Sequence, residues 1–269
     1  MNDHSPLSKI SRRTFVGGAA GIAGAGVLGT SLGTGRATAT PTPRSAKFAH
    51  GVASGDPLPD AVILWTRVTP SPDAKPGSGR GAPSQVTWEM SRAADFSTVV
   101  ASGTAGTDAS RDHTVKVDAT GLSPATQYWY RFTVDGVRSP IGRTKTAPAT
   151  DAALKKARFG VVSCSNWEAG YFAPYRKLAQ RKNLDAVVHL GDYIYEYGAG
   201  EYGGKNGAVR KHVPAHDIVS LSDYRIRHAQ YKTDKDLQAA HAAHPFICTW
   251  DDHESADNSC RAGAENHDP

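Results

Sequence analysis

The chain has 269 residues, 39% of them hydrophobic and 21% charged, a balance that excludes a disordered tail, a collagen repeat and a disulfide-built miniature protein. Its net charge of +5, from 31 Lys and Arg against 26 Asp and Glu, is concentrated at the start: without Lys9, Arg12, Arg13, Arg36 and Asp3, 27 bases face 25 acids. So small a remainder gives no field for a polyanion, and no stable nucleic-acid partner is expected. Three cysteines, Cys164, Cys248 and Cys260, cannot close a disulfide framework.

A basic stretch ends at Arg13, Phe15 to Gly35 is uncharged, and Ala37-Thr38-Ala39 offers a small-residue cleavage site, so residues 1–39 read as a signal peptide. Eight glycines in the uncharged run weaken its hydrophobic drive, and a permanent membrane anchor is not expected. Ser11-Arg12-Arg13-Thr14-Phe15 resembles the twin-arginine export signature. The expected partner during export is therefore the twin-arginine translocase, and the expected location is secreted, in the periplasm or cell wall.

Residues 45–146 turn to short strands separated by Gly, Pro, Asp and Ser: His50 to Val52, Ala61 to Val68, Gln85 to Met90, Val99 to Ser102, His113 to Val117 and Gln127 to Val134. Tyr128, Tyr130 and Phe132 alternate with Trp129, Arg131 and Thr133, which puts aromatic surface on a central strand. Such strands predict a β-sandwich of immunoglobulin or fibronectin type III size, with Leu122 plugging one end and Tyr128 bracing it. Trp65 reads as core and Arg67 as a solvated or interdomain charge. Arg143 to Leu154 carries little large apolar material and reads as the connection, with a linker at 147–157.

From residue 158 to 269 the pattern becomes β-α-β-α-β: strands Arg158 to Ser163, Leu184 to Leu190 and Phe246 to Trp250, and helices Tyr171 to Arg181, Ser220 to Tyr231 and Lys235 to Ala243, the last capped by Asp234. Strands this apolar need cover on both faces, and Cys248 reads as core. Each strand runs into polar chemistry: Ser163-Cys164-Ser165-Asn166, then Gly191-Asp192-Tyr193-Ile194-Tyr195, then Asp251-Asp252-His253-Glu254. In an open α/β sheet, ligands bind beyond the carboxyl ends of the strands, so three successive strands deliver these groups to one rim.

A carboxylate at Asp192 can bridge two cations. Thiolate from Cys164 and phenolate from Tyr195 suit a transition ion, and a phenolate wants a strongly polarising one such as ferric iron. Asp252 supplies an oxygen ligand, and His253 an imidazole that can donate to a phosphoryl oxygen or a leaving group. Bland alternatives stay open for each: a buried cysteine, a turn aspartate, an aromatic loop, a solvated helix start. The loop 198–219, with Lys205, Arg210, Lys211 and His212, either steers an anion or is solvated.

The segments SRRTF, HGVASGDPLPDAVILWTRV, LSPATQYWYRF, FGVVSCSN, VVHLGDYIYEYG and TWDDHESADN together resemble the PhoD-type alkaline phosphatases, a branch of the calcineurin-like metallophosphoesterases. The resemblance implies a β-sandwich followed by the start of an α/β metallophosphoesterase domain, incomplete here, with further ligands downstream of this chain. It also implies iron and calcium (Fe3+ and Ca2+) as cofactors, with Cys164, Asp192 and Tyr195 on iron, Asp192 bridging, Asp252 on the calcium side, and Asp192 and His253 as catalytic residues. The activity implied is hydrolysis of a phosphate ester, monoester or diester, by direct attack of a hydroxide bridging the metals, with no serine nucleophile because Ser163 and Ser165 show no base beside them. Alternatives are a dedicated cell-envelope phosphodiesterase resembling phospholipase D in substrate, and an inactive, truncated binding module.

Overall fold

Strands from both halves of the sequence meet in a single sheet. The computed structural model describes residues 47–265, so the segment read as an export signal lies outside the described residues. In the first half the strands are β1 (Val52–Gly55), β2 (Ala61–Arg67), β3 (Ser84–Ser91), β4 (Val99–Thr107), β5 (Thr114–Thr120), β6 (Gln127–Val134), β7 (Val137–Arg138) and β8 (Gly142–Lys145). The second half adds β9 (Phe159–Val162), α1 (Ala173–Ala179), β10 (Ala186–His189), α2 (Leu221–Tyr231), α3 (Lys235–Ala243) and β11 (Pro245–Cys248). One sheet has the order β5-β2-β1-β11-β10-β9, and the other runs β4-β3-β6-β7 with β8 also on β6.

The sandwich forms between that second sheet and the β5-β2-β1 part of the first. Alternation along β6 turns Tyr128, Tyr130, Phe132 and Val134 inward, where they meet Val62, Leu64, Met90 and Val117 in one apolar core. Each such side chain contributes about 1.5–3 kcal/mol by leaving water. Leu122 is buried at the end of this core, and the Tyr128 hydroxyl accepts the Ser123 N–H at 2.8 Å, so the brace forms where the sequence places it. Arg67 is neither solvated nor exposed: it is 2% exposed, and its Nε donates to Asp112 at 3.0 Å. Trp65, read as core, is half-buried. The β8 strand escapes sequence reading because its inward residues are Gly142 and Thr144, too small to give an apolar period; Gly142 lies flat on the Tyr130 ring.

The two halves join through β1, which pairs antiparallel with β2 and parallel with β11, with Ser54 opposite Pro245 and Gly55 opposite Phe246. A Cβ at Gly55 would stand 2.8 Å from the Phe246 carbonyl oxygen, so this approach admits only glycine without a shift. Sequence reading separates the halves by a linker, whereas in the structure backbone hydrogen bonds cross between them.

In the second half β9, β10 and β11 are parallel neighbours. A capping box of Ser220 and Asp223 starts α2, and Asp234 caps α3 by accepting the Asp236 and Leu237 N–H groups. Val187, Leu237, Ala240 and Phe246 form the core beneath these helices with Tyr175 and Tyr231. The opposite face of the strands is not covered among the described residues: Val161 is 62% exposed, and Phe159 and Ile247 are exposed beside it. Cys248, expected in the core, is exposed at the end of β11. All three cysteines are free thiols.

Two outcomes follow from this packing. Gly55→Ala should destabilise the chain by about 1–3 kcal/mol through overpacking at the junction, read from urea midpoints; an unchanged midpoint would show that the halves do not depend on this contact. Loss of hydration holds buried His50 and His189 down at about 4 and His212 at about 3, all below the ordinary 6.5. Between about pH 6.5 and pH 4 the unfolded chain therefore binds more protons than the folded one, and stability should fall as pH drops through that window. Urea midpoints at about pH 7 and pH 5 check this, and a midpoint no lower at the acid value would contradict it.

Candidate metal centre

Parallel β9, β10 and β11 release their chains at the same edge of the sheet. After β9 the backbone turns so that the Cys164 N–H donates to the Gly191 carbonyl at 3.2 Å and the Ser165 N–H to the Asp192 carbonyl at 2.8 Å, locking the first two strand ends together. Cys164 and Asp192 both adopt left-handed backbone, with φ of 56° and 51°. Non-glycine residues reach that region at a cost, which is met here by the hydrogen bonds between the turns. Gly191, at φ 107°, has the Asp251 N–H where its Cβ would be, so the third strand end presses against the second.

Asp192, Asp252 and His253 converge: one potential ligand atom from each lies within 4.8 Å of the others. The Tyr195 hydroxyl donates to Asp192 Oδ2 at 3.2 Å, while Asp192 Oδ1 is buried with no partner among the described residues. An unpaired buried acceptor costs about 1–3 kcal/mol, more for a charged group, and a cation is the species that would satisfy it. The residues present therefore fit a metal ion. Asp252 is half-buried and also serves its turn, accepting the His253 N–H at 3.1 Å and the Asn258 N–H at 2.6 Å. The Cys164 thiol is exposed and stands outside the Asp192, Asp252 and His253 cluster, on the turn hydrogen-bonded to it.

His253 is buried, with Nδ1 2.9 Å from Glu196 Oε2 and Nε2 3.6 Å from Asp257 Oδ1. Burial pulls its pKa down, but the Glu196 hydrogen bond and the charges of Glu196, Asp192 and Asp252 outweigh this and leave it raised. Tyr195 packs its ring 4.3 Å from the imidazole. Burial and the neighbouring Asp192 and Cys164 push its phenol well up, so the hydroxyl keeps its proton in this state of the site.

Two carboxylates missed by sequence reasoning hold this arrangement. Glu196 is 2% exposed and, besides fixing His253, accepts the Asp257 N–H at 2.6 Å. Glu254 accepts the Asp192 N–H at 3.0 Å, the Asp251 N–H at 2.7 Å and the Tyr193 N–H as well. A signal existed for Glu196, the single acid inside the aromatic run Tyr193 to Tyr197. None marked Glu254 apart from its neighbours.

Ser165 does have a base beside it, contrary to expectation: its Oγ lies 3.3 Å from His189 Nε2 and 2.5 Å from the Tyr175 hydroxyl. All three are buried, and the Ser165 hydroxyl is held inside the fold, where an attacking role has no access. In the loop 198–219, Arg210 bonds Asp234 at 2.6 Å and lies 3.6 Å from the Trp167 ring centroid, and His212 is buried against the Tyr231 hydroxyl at 3.1 Å. Both act as structural clamps, while Lys205 and Lys211 are exposed. Replacing Glu254 by Ala would strand three N–H donors and should weaken cation binding about 10–100-fold by isothermal titration calorimetry; an unchanged affinity would deny it that positioning role.

Comparison with known proteins fits this architecture. The model of the PhoD-like phosphatase family matches residues 159–269, and that of the PhoD-like phosphatase N-terminal domain matches residues 35–148. The chain is 46% identical over 253 residues to alkaline phosphatase D of Bacillus subtilis (strain 168), covering 92% of this chain and 42% of that relative. A solved structure of PhoD, also 46% identical, superposes with a TM-score of 0.76 over 82% of this chain and 42% of that one. The chain thus spans less than half the length of the relatives it matches.

Proposed function

The chain belongs to the PhoD-like phosphatase family, and from that membership we propose that it contributes the first part of a centre that hydrolyses phosphate esters with bound metal. The observation that carries this reading is the unpartnered, buried Asp192 Oδ1 beside Asp252 and His253. Asp192, with Cys164 and Tyr195, would hold ferric iron, and Asp192 and Asp252 would share calcium; the soft thiolate and the phenolate favour iron, and the carboxylates favour calcium. When bound, these cations supply Lewis-acid activation of water and neutralise charge on the phosphoryl oxygens.

The chain's own residues prepare that chemistry. Glu254 fixes the Asp192 backbone and so the direction of its carboxylate. Glu196 accepts from His253 Nδ1 and leaves Nε2 as the ring position from which a proton can be given to a phosphoryl or leaving oxygen. The Tyr195 ring packs at a tilt against the imidazole while its hydroxyl reaches Asp192. No serine is needed as nucleophile.

The wider reading follows the same family. Residues 1–39 would direct export through the twin-arginine translocase to the cell exterior, periplasm or wall, 45–146 would form the sandwich, 147–157 the connection, and 158–269 the start of the catalytic region. Among the described residues no helix is long and apolar enough to cross a membrane. The test is hydrolysis of an aryl phosphate monoester and a diester by the chain loaded with ferric iron and calcium, against its Asp192→Asn variant. Removing the bridging carboxylate should lower turnover at least about a hundredfold and release iron in elemental analysis. Equal iron content and equal rates in the two proteins would overturn the assignment.

A further inference from the structure

A cleft of about 1300 Å³ opens between α2 and the strands β1, β2, β5 and β11, with Tyr193 and Glu254 in its lining. None of Cys164, Asp192, Tyr195, Asp252 or His253 lines it. Its inner end holds the Lys232 ammonium, which follows the last turn of α2 and is half-buried. That ammonium lies 5.0 Å from the ring centroids of both Trp65 and Tyr193, and 3.1 Å from His241 Nε2. Among the described residues it forms no ion pair with a carboxylate. Loss of hydration draws its pKa down to about 8, and burial keeps His241 neutral.

The acids that line the cleft are committed or peripheral. Asp112 is bonded to Arg67 and the Gly77 N–H, Glu254 to three backbone N–H groups, and Asp56 is exposed at the rim. Arg111, Lys116 and Arg225 line the same cleft and give its mouth a positive sign. Ile63, Trp65 and Trp250 supply apolar wall, and Trp250 is 80% exposed although it is the largest of side chains. The Cys248 thiol also faces the Lys232 ammonium, and His241 Nε2 lies 2.8 Å from the Tyr193 hydroxyl as well. A desolvated cation set among π faces, an imidazole and a thiol, with no carboxylate partner among the described residues, at the end of an apolar cleft with a basic mouth, has the composition of a ligand pocket with one anchoring charge.

We propose that this cleft binds a small organic anion, a single phosphate or carboxylate group carried on an apolar body, with Lys232 anchoring the anionic group and Ile63, Trp65 and Trp250 enclosing the body. The site is separate from the metal centre and does not require metal. Lys is suited to the anchoring role because its compact point charge accepts an anion from several directions. Surrounding aromatic surface strengthens that attraction by excluding water.

Isothermal titration calorimetry of the full chain in EDTA, with phenylphosphonate, inorganic phosphate and benzamide as probes, tests this. Phenylphosphonate should bind with one-site saturation, and inorganic phosphate and benzamide each at least about tenfold more weakly, since each lacks one of the two features recognised. Lys232→Met should weaken phenylphosphonate at least about tenfold with unchanged circular dichroism. Trp250→Ala, at an exposed position, should weaken it severalfold and carries the test should Lys232→Met fail to fold. Asp192→Asn should leave the affinity unchanged, which separates this site from the metal centre. No saturation below about 10 mM phenylphosphonate, or affinities within twofold of the parent in both Lys232→Met and Trp250→Ala, would overturn the proposal.

Discussion

The Glu254 carboxylate accepts backbone N–H groups from Asp192, Tyr193 and Asp251, and through them it ties the loop after β10 to the loop after β11. Carboxylate acceptors on amide donors make strong, directional bonds, roughly twice as strong as neutral pairs. This clasp sets the height at which Asp192 leaves the sheet. With the Cys164 and Ser165 N–H groups bonded to the carbonyls of Gly191 and Asp192, all three strand ends share one hydrogen-bonded framework. The unpartnered Asp192 oxygen is a product of that framework: the backbone is satisfied by Glu254, one carboxylate oxygen by Tyr195, and the other stays buried without a partner among the described residues, on a residue that converges with Asp252 and His253.

The framework in turn rests on a sheet that crosses from one half of the sequence to the other. Because β1 pairs with both β2 and β11, the sandwich core and the core beneath α1 and α3 share a backbone ladder, and at Gly55 that ladder leaves no room for a Cβ beside the Phe246 carbonyl. The sandwich is thereby hydrogen-bonded to β11, which leads into the turn that carries Asp252, His253 and Glu254. The sandwich contributes walls as well: Ile63, Trp65 and Lys116 belong to its strands yet face α2 across the cleft that holds Lys232.

Much of this was legible in the sequence, for identifiable reasons. Alternation in Gln127 to Val134, the cap Asp234, and the apolar runs before Cys164, Asp192 and Asp251 each encode a local preference that the fold does not override. Side chains whose role depends on distant partners were not legible. Arg67 reads as a solvated or interdomain charge because its partner Asp112 lies 45 residues away, and Glu254 reads as one acid among several because its acceptor role involves backbone groups more than 60 residues earlier. Strand pairing between β1 and β11 left no local mark either, since a glycine at a strand end also fits a turn. At the candidate site, convergence of Asp192, Asp252 and His253 followed from parallel strand order, whereas the place of Glu196 behind His253 needed coordinates.

Anomalous X-ray diffraction at the iron edge, from crystals of the chain prepared with ferric iron and calcium, tests the central claim most directly. The account predicts a peak in bonding contact with Asp192 Oδ1. Full iron loading with the anomalous peak elsewhere, and with Asp192 Oδ1 still unpartnered, would contradict it.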